Sequence, residues 1–421
     1  MSTSLEIQLM EAIRESQIDI VQSLIDKGCK VNVGDMDNLT PLHLAAMKDR
    51  YCIAELLIAR GANVNQKTTD KMAPLHYAAV RGFCEMVALL LGCGAVVDPL
   101  DANDRTPLML AVIRDHVDVV ELLVRHGAKV NIEEIHGYTP LCEAVWNKSV
   151  EMAGLLLRAG AKQTQSQNLL HYAVLHRHTA MAELLLSHGA YPNLRDDQGD
   201  TPLLRAITCC HLDMVRLLLR YDANPNFTNS VTSKTPLHQA VRVPSCDAMF
   251  QELLELLCQY NVDLDQADGV GLTPFIDALY CKNVNGAAAL VRAGADVNKS
   301  CTIPSSSPHL SSTLRLAIIL PDSLVHLIVV AGLDLSKQEV PELPSVKDTK
   351  PIIGWVRHMK TNPRCLADWC RLKIRSYLGN RALVVIPTLH IPQSLKKFLL
   401  YQDIVVEKVE RFSFVCGRDR F

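Results

Sequence analysis

The heptapeptide TPLHLAA at residues 40–46 recurs along the chain at a fixed spacing, and this recurrence decides the fold. Copies follow in steps of 33 residues as APLHYAA at 73–79, TPLMLAV at 106–112 and TPLCEAV at 139–145. Looser copies begin at Asn168, Thr201, Thr235, Thr273 and Ser312, and one step back from Thr40 lands on Ile7. Self-similarity at a period of roughly 20–50 residues is the signature of stacked structural repeats. Residues 1–335 therefore hold about ten repeats.

A second phrase, L-L-x-x-G-A, closes the repeats in phase with the first. Its glycine, or a substitute for it, lies at Gly28, Gly61, Gly94, Gly127, Gly160, Gly189, Asp222, Asn261, Gly294 and Gly332. Thr40 and Pro41 suit the cap and the first position of a helix, because the hydroxyl accepts an otherwise unbonded amide and proline has no amide hydrogen to lose. A second helix over 52–60 ends at Gly61, which adopts the left-handed conformation readily. The turn-rich stretch 62–71 predicts a projecting hairpin.

These phrases resemble the ankyrin-repeat family, whose TPLHxA and GADVN motifs stand nearly intact at residues 40–46 and 61–65. The resemblance covers about four-fifths of the chain. It implies an all-α fold class, an ankyrin-repeat solenoid of helix–turn–helix units joined by β-hairpins. One unit cannot bury its own apolar face, whereas a stack of units can.

The repeat pattern stops after Gly332, and a different pattern begins near residue 362. Residues 336–361 read as a linker, which includes the polar, proline-broken stretch QEVPELP at 338–344. Beyond the linker, residues 362–379 read NPRCLADWCRLKIRSYLG, with an apolar residue at every fourth position. These apolar residues are Leu366, Cys370, Ile374 and Leu378. Their spacing predicts one apolar face of a helix.

Residues 362–403 resemble a SOCS box, a short module of three helices that binds adaptor proteins. By this resemblance, the residues that bind elongin C are Leu366, Cys370 and Ile374. The residues that bind the cullin are Leu389, Ile391 and Pro392, which match the motif Leu-Pro-apolar-Pro except at His390. Cys365 also departs from the usual Ser, Thr or Pro before the first leucine. Residues 404–421 lie beyond the module and are an unassigned tail.

Ankyrin repeats followed by a SOCS box are the layout of the ankyrin repeat and SOCS box protein family. The resemblance implies a non-catalytic substrate receptor that joins elongin B, elongin C, cullin-5 and its RING-box subunit in a ubiquitin ligase. The repeats would bind a protein substrate, and ubiquitination would direct that substrate to the proteasome. Two alternatives stay open. The chain could be an ankyrin scaffold that recruits no ligase, and the C-terminal helix could simply cap the repeat stack.

The ankyrin resemblance also implies that the ends of the first helices are available to partners. The seventh residue after the first position of each phrase is apolar at Met47, Val80, Ile113, Trp146 and Leu175. The eighth residue after that position is basic at Lys48, Arg81 and Arg114. An apolar stripe with a cationic flank is typical of a partner surface, so we expect a substrate segment with apolar anchors and acidic residues, centred near Trp146. The alternative is that these side chains only pack on neighbouring repeats.

The composition narrows the remaining function classes. The 421 residues include 43 Lys and Arg against 45 Asp and Glu, which gives no reason to expect a nucleic-acid partner. Phosphate-loop, serine-hydrolase and HExxH motifs are missing and the 14 cysteines form no C-x-x-C pair, so we expect no enzyme activity, cofactor or metal. The charged amino terminus and the lack of a long apolar run predict no secretory signal and no membrane insertion. We expect a cytoplasmic protein, with the nucleus as the alternative.

Overall fold

The computed structural model describes residues 4–164, 167–243, 247–299, 313–318, 320–335, 351–361, 366–378 and 382–401. The chain forms two compact units, Met1–Ala190 and Tyr191–Phe421. Across the described ranges it contains 24 α-helices and no β-strand.

The first unit is a stack of six helix pairs. Their bounds are α1 Ser4–Arg14 and α2 Ile18–Asp26, α3 Pro41–Met47 and α4 Tyr51–Ala59, α5 Pro74–Arg81 and α6 Cys84–Gly92, α7 Pro107–Ile113 and α8 Val117–Arg125, α9 Pro140–Trp146 and α10 Val150–Arg158, α11 Leu169–Leu175 and α12 Thr179–Ser187. Each first helix packs against the first helix of the next pair, as α3 does on α5 and α5 on α7. Alanines such as Ala45, Ala78 and Ala111 are fully buried there, and their small side chains let the helices approach closely.

The second unit begins with four more helix pairs and ends in four further helices. The pairs are α13 Pro202–Thr208 and α14 Leu212–Arg220, α15 Pro236–Arg242 and α16 Asp247–Gln259, α17 Pro274–Tyr280 and α18 Val284–Ala293, α19 Thr313–Ile318 and α20 Asp322–Val330. The further helices are α21 Pro351–Thr361, α22 Leu366–Leu378, α23 Ala382–Thr388 and α24 Gln393–Leu399. Ten helix pairs, followed by α21 and the three helices of the C-terminal module, confirm the predicted all-α repeat fold.

Two segments differ in detail from the sequence-based expectation. The described loops between repeats close by turns rather than by paired strands: the amide of Thr68 donates to the carbonyl of Met72 at 3.0 Å, with Lys71 at a φ of 57°. The stretch predicted as a linker contains α21, which packs against α20 and brings the rings of His326 and Trp355 edge to face at 4.5 Å. A single backbone bond across such a loop closes a turn and does not form a strand ladder. Helix α21 is helical because its apolar residues Ile353 and Val356, one turn apart, are buried.

The histidine of the TPLH phrase ties one repeat to the next. His43 is fully buried, its Nδ1 accepts the amide of Thr40 at 3.1 Å, and its Nε2 donates to the carbonyl of Met72 at 3.1 Å. His76 and His238 make the same two bonds. Each accepts a backbone amide in its own repeat, from Ala73 or Thr235, and donates to a backbone carbonyl in the next repeat, of Arg105 or Leu272. These bonds require the neutral imidazole, and burial lowers the pKa of His43 to about 4.

The asparagine that ends the GADVN phrase makes a second link between repeats. Asn32 donates from Nδ2 to the carbonyl of Gly61 at 2.9 Å and accepts the amide of Asn63 at 2.7 Å. The same pair of bonds recurs at Asn65, Asn131, Asn193, Asn226 and Asn298. At the equivalent place Asp98 can only accept, from the amide of Lys129. The same asparagine recurs from repeat to repeat because one amide side chain satisfies a backbone donor and a backbone acceptor of the next repeat.

Candidate partner-binding surfaces

Helix α22 presents two different faces. Cys370 and Ile374, one turn apart, are exposed, and Ile374 keeps 41% of its surface open to solvent. Arg371 and Arg375, also one turn apart, are buried at 3% and 7% exposure. This is the reverse of the usual arrangement for a helix at a protein surface, where charged side chains face the solvent.

Arg375 is buried because it bonds to carbonyl oxygens at the ends of two other helices. Its guanidinium donates to the carbonyl of Leu399 at 2.7 Å, to that of Val291 at 3.0 Å, and to that of Arg292. Val291 and Arg292 lie in the last turn of α18, where a cation also meets the negative end of the helix dipole. Burial lowers the pKa of Arg375 to about 10, so it stays charged at neutral pH.

Arg371 is held on the same side by aromatic rings. Its guanidinium carbon lies 3.6 Å from the centre of the Phe398 ring and 4.8 Å from that of Tyr401. Arg375 lies 4.6 Å from the same Tyr401 ring. Tyr401 is 1% exposed, so the two cations and the ring form a desolvated cluster in which cation–π attraction is stronger than in water.

Helices α23 and α24 complete the C-terminal module. Its core is formed by Ala382, Ile386, Leu399 and Leu400, with Leu378, Leu383, Ile391 and Phe398 packed against it. Helix α23 lies against α16 and α18, the second helices of two repeats. The module is thus attached to the repeats by α23 and by the bonds of Arg375 in α22 to α18.

The predicted adaptor-binding residues fall in different environments. Leu366 begins α22, but its side chain lies outside the described residues, as do residues 362–365 and the tail 404–421. Leu378, which the sequence placed on the same face as Cys370, packs on the module core instead. Leu389 and Ile391 are half-buried, Ile391 against that core, while Pro392 is exposed and caps α24.

A groove lies in the first unit, beside the ends of α3, α5 and α7. It has a volume of about 550 Å³ and is lined by Met47, Met72, Tyr77, Val80, Arg81, Arg114 and His116. Four of the predicted substrate residues, Met47, Val80, Arg81 and Arg114, come together there. Sequence reasoning missed Met72, Tyr77 and His116. Tyr77 lies one helical turn before Val80 and Arg81, a signal that could have been used, whereas Met72 and His116 reach the groove only through the stacking of adjacent repeats.

The other predicted substrate residues do not line the groove. Lys48 is exposed and Ile113 is half-buried. Trp146 is half-buried, its ring meets that of Tyr138 edge to face at 4.6 Å, and Leu175 is 56% exposed. Trp146 therefore has an aromatic neighbour within its own repeat, and its place at the centre of a substrate surface stays a prediction.

Arg81 and Arg114 are the charged groups of the groove. Both are exposed, and in the part of the chain that the structure describes neither forms an ion pair with a carboxylate. Other arginines of the first unit do form such pairs, at Arg14, Arg60, Arg105 and Arg125. The rim of the groove thus offers two guanidinium groups to a ligand.

Two other kinds of feature, metal sites and membrane-spanning helices, were sought among the described residues. Within those ranges, no group of three or more His, Cys, Asp or Glu side chains is placed to hold a metal ion. No described helix has the length and apolar character needed to cross a membrane.

Family comparisons match both parts of the chain. A model described as ankyrin repeats matches residues 9–99, 75–167 and 158–229, which together cover more than half of the chain, and a SOCS box model matches residues 362–400. Ankyrin repeat and SOCS box protein 14 of Mus musculus is 28% identical over 251 residues, 57% of this chain and 38% of the relative. Ankyrin repeat and SOCS box protein 5 of Oryctolagus cuniculus is 30% identical over 158 residues, 36% of this chain and 45% of the relative.

A fowlpox virus ankyrin repeat protein is 37% identical over 107 residues, 25% of this chain and 17% of the viral protein. The chain spans less than half the length of each of these relatives. Fold and surfaces define a repeat protein that ends in a helical module, in which Cys370 and Ile374 of α22 are exposed. With both models matched in that order, the chain belongs to the ankyrin-repeat proteins and, among them, to the ankyrin repeat and SOCS box family.

Proposed function

We propose that this chain is the substrate-recognition subunit of a ubiquitin ligase built from elongin B, elongin C, cullin-5 and a RING-box subunit. The observation that carries the proposal is the division of α22 into a docked face and an open face. Arg371 and Arg375 attach the helix to the rest of the protein, so Cys370 and Ile374 remain exposed on a helix that is already folded. An exposed apolar helix face of this kind suits a helix-in-groove contact.

In this proposal the chain performs no bond-making step. The open face of α22 binds elongin C, and Leu389, Ile391 and Pro392 contribute the cullin contact, so the chain holds a substrate near the transferring subunits. Positioning two reactants in one assembly raises the transfer rate through effective concentration, without a catalytic residue in the receptor.

Co-purification with elongins tests the adaptor contact. The tagged chain, co-expressed with elongin B and elongin C, should retain both, and Ile374→Asp should lose them because a charge would be buried in the contact. The paired truncation Leu366→Ala with Cys370→Ala should act in the same direction. Val231→Asp is the matched control, since Val231 is 77% exposed and lies in a loop between repeats.

The cullin contact is tested with the same complex. Pro392→Ala and Ile391→Ala should weaken capture of cullin-5 while elongin capture persists. His390→Pro, which completes the usual Leu-Pro-apolar-Pro motif, should leave cullin-5 capture intact or raise it. Preference for a different cullin would overturn that part of the proposal.

The second candidate is an ankyrin scaffold that recruits no ligase. It is supported by the repeats alone, which have a groove suited to a partner whether or not the C-terminal module binds elongin. Failure of both elongins to accompany the intact chain, with the chain folded as judged by its thermal unfolding, would favour this candidate.

A further inference from the structure

We propose that the groove beside α3, α5 and α7 binds an extended acidic peptide segment with two carboxylates three residues apart and an apolar side chain between them. This rests on the proposed function in one respect: the segment is taken to belong to the protein that the receptor recognises. Three features of the groove carry the proposal: its apolar lining, the spacing of its two cations, and the fixed position of His116.

The floor of the groove is apolar and adaptable. We call its apolar lining the floor, which consists of Met47, Met72, Tyr77 and Val80. Methionine has three rotatable bonds and a polarizable sulfur, so it moulds to apolar side chains of different shape. The floor therefore takes an apolar anchor without demanding one particular residue.

The two cations on the rim stand one repeat apart. Arg81 ends α5 and Arg114 directly follows α7, and the two occupy the same place in repeats that are 33 residues apart. Because α5 packs directly on α7, their axes lie about 8–10 Å apart, and so do the starting points of the two side chains. A ligand that pairs with both must carry its charges at about that spacing.

An extended segment in the polyproline II conformation meets this spacing. It rises about 3.1 Å per residue with three residues per turn, so residues i and i+3 lie on one side and about 9 Å apart. Two carboxylates at i and i+3 can each face one guanidinium, and a side chain between them can point to the Met47 and Tyr77 floor. Two carboxylates at this spacing give each guanidinium its own planar, bidentate partner, whereas one phosphate would have to draw both long side chains together onto one group, so we assign the ligand to Asp or Glu.

His116, which also lines the groove, is held in place before any ligand binds. His116 donates from Nε2 to the carbonyl of Val80 at 3.0 Å. Its ring also lies over Gly82, where a Cβ would come within 2.7 Å of the imidazole and where φ is +78°. This side of the groove is thus fixed, and binding costs no entropy for ordering His116.

Fluorescence anisotropy with labelled dodecapeptides tests the proposal on the full chain. The probe has Glu-Leu-Pro-Glu at its centre, and the comparison peptides carry Gln-Leu-Pro-Gln, Glu-Glu-Leu-Pro, Lys-Leu-Pro-Lys or a single phosphoserine. We expect the first probe to bind about tenfold or more tightly than the glutamine peptide and to weaken as salt rises. The adjacent-glutamate peptide should bind more weakly than the spaced one.

Charge reversal of the protein gives the matched comparison. Arg81→Glu with Arg114→Glu should lower affinity for the acidic probe by about tenfold or more and should allow the lysine peptide to bind. Arg158→Glu, an exposed arginine on α10 outside the groove, should leave the affinity unchanged. Equal affinity for the acidic and glutamine peptides, no loss on double reversal, or tighter binding of the phosphoserine peptide would each overturn the proposal.

Elongin capture by the same variants separates this proposal from the proposed function. If the double-reversal variant and the wild type capture elongin equally and the acidic probe does not bind, the groove assignment fails and the receptor proposal stands. If the probe binds with the expected charge dependence and no elongin is captured, the receptor proposal fails and the groove belongs to a scaffold.

Discussion

Acidification should destabilise the first unit through His43, and the size of the effect follows from its contacts. The folded protein needs the neutral ring, because Nδ1 accepts the Thr40 amide while Nε2 donates to the Met72 carbonyl. Burial lowers the pKa of His43 from 6.5 to about 4. A depressed folded pKa means that the unfolded chain takes up a proton first, so stability is lost as pH falls from about 6.5 to about 4 and is constant below that.

The expected magnitude is about 2 kcal/mol at pH 5 relative to neutral pH, from a shift of this size in one group. His43→Met is the matched variant, because Met109 occupies the same place in its own repeat. Wild type and variant are unfolded with urea at pH 7 and pH 5, with hydrogen exchange of α3 and α5 as a local measure, since repeat proteins need not unfold in one step.

The variant should be less stable than wild type at pH 7 and should lose less stability than wild type on going to pH 5. A titration of the His43 ring followed by nuclear magnetic resonance gives an independent measure. The reasoning is refuted if the folded ring titrates near 6.5, or if wild type and variant lose the same stability between the two pH values.

Three further changes test other contacts. Asp98→Asn should stabilise the first unit by about 1 kcal/mol in urea unfolding. Burial raises the pKa of Asp98, and an amide at this place can also donate to the Gly127 carbonyl. No gain in stability would contradict the link that the asparagines make in the other repeats. Arg375→Ala should lower the free energy of unfolding by about 3 kcal/mol and speed hydrogen exchange in α22 and α24, because three carbonyl bonds are lost. Arg375→Lys should recover part of the loss. Unchanged exchange would show that Arg375 does not attach the helix. Gly82→Ala should lower the free energy of unfolding by about 1 kcal/mol or more, because a Cβ is strained at this left-handed φ and would displace His116. An unchanged melting temperature would argue against the left-handed backbone at residue 82.

The repeat fold could be predicted because the same local sequence pattern recurs from repeat to repeat. Thr106, for example, caps its helix as the motif predicts, with its Oγ1 accepting the amide of Met109 at 3.1 Å. The loops were harder, because turns and short strand pairs share the same residue types. Helix α21 was missed because the proline-rich stretch before it suggested a linker, although Ile353 and Val356 have helical spacing.

The candidate surfaces could be predicted only where the signal is local. Arg81 and Arg114 could be read from the repeat period, since equal positions in equal units lie side by side. Met72 and His116 could not, because each reaches the groove from a neighbouring repeat. The burial of Arg375 was equally out of reach, since its carbonyl partners Val291 and Arg292 are more than 80 residues away in sequence.

That unpredictable burial also explains how the C-terminal module can dock on the repeats and still offer an apolar surface. A module that docked through Cys370 and Ile374 would hide these two side chains from any partner. Docking instead uses two arginines: Arg375 donates to the carbonyls at the end of α18, and the guanidinium groups of Arg371 and Arg375 lie over the ring of Tyr401. The polar contact is specific in position because it needs helix-end carbonyls, and it leaves the apolar side of α22 free. If the proposed elongin contact is correct, Arg375→Ala should loosen the module from the repeats more than it weakens elongin capture, whereas Ile374→Asp should do the opposite.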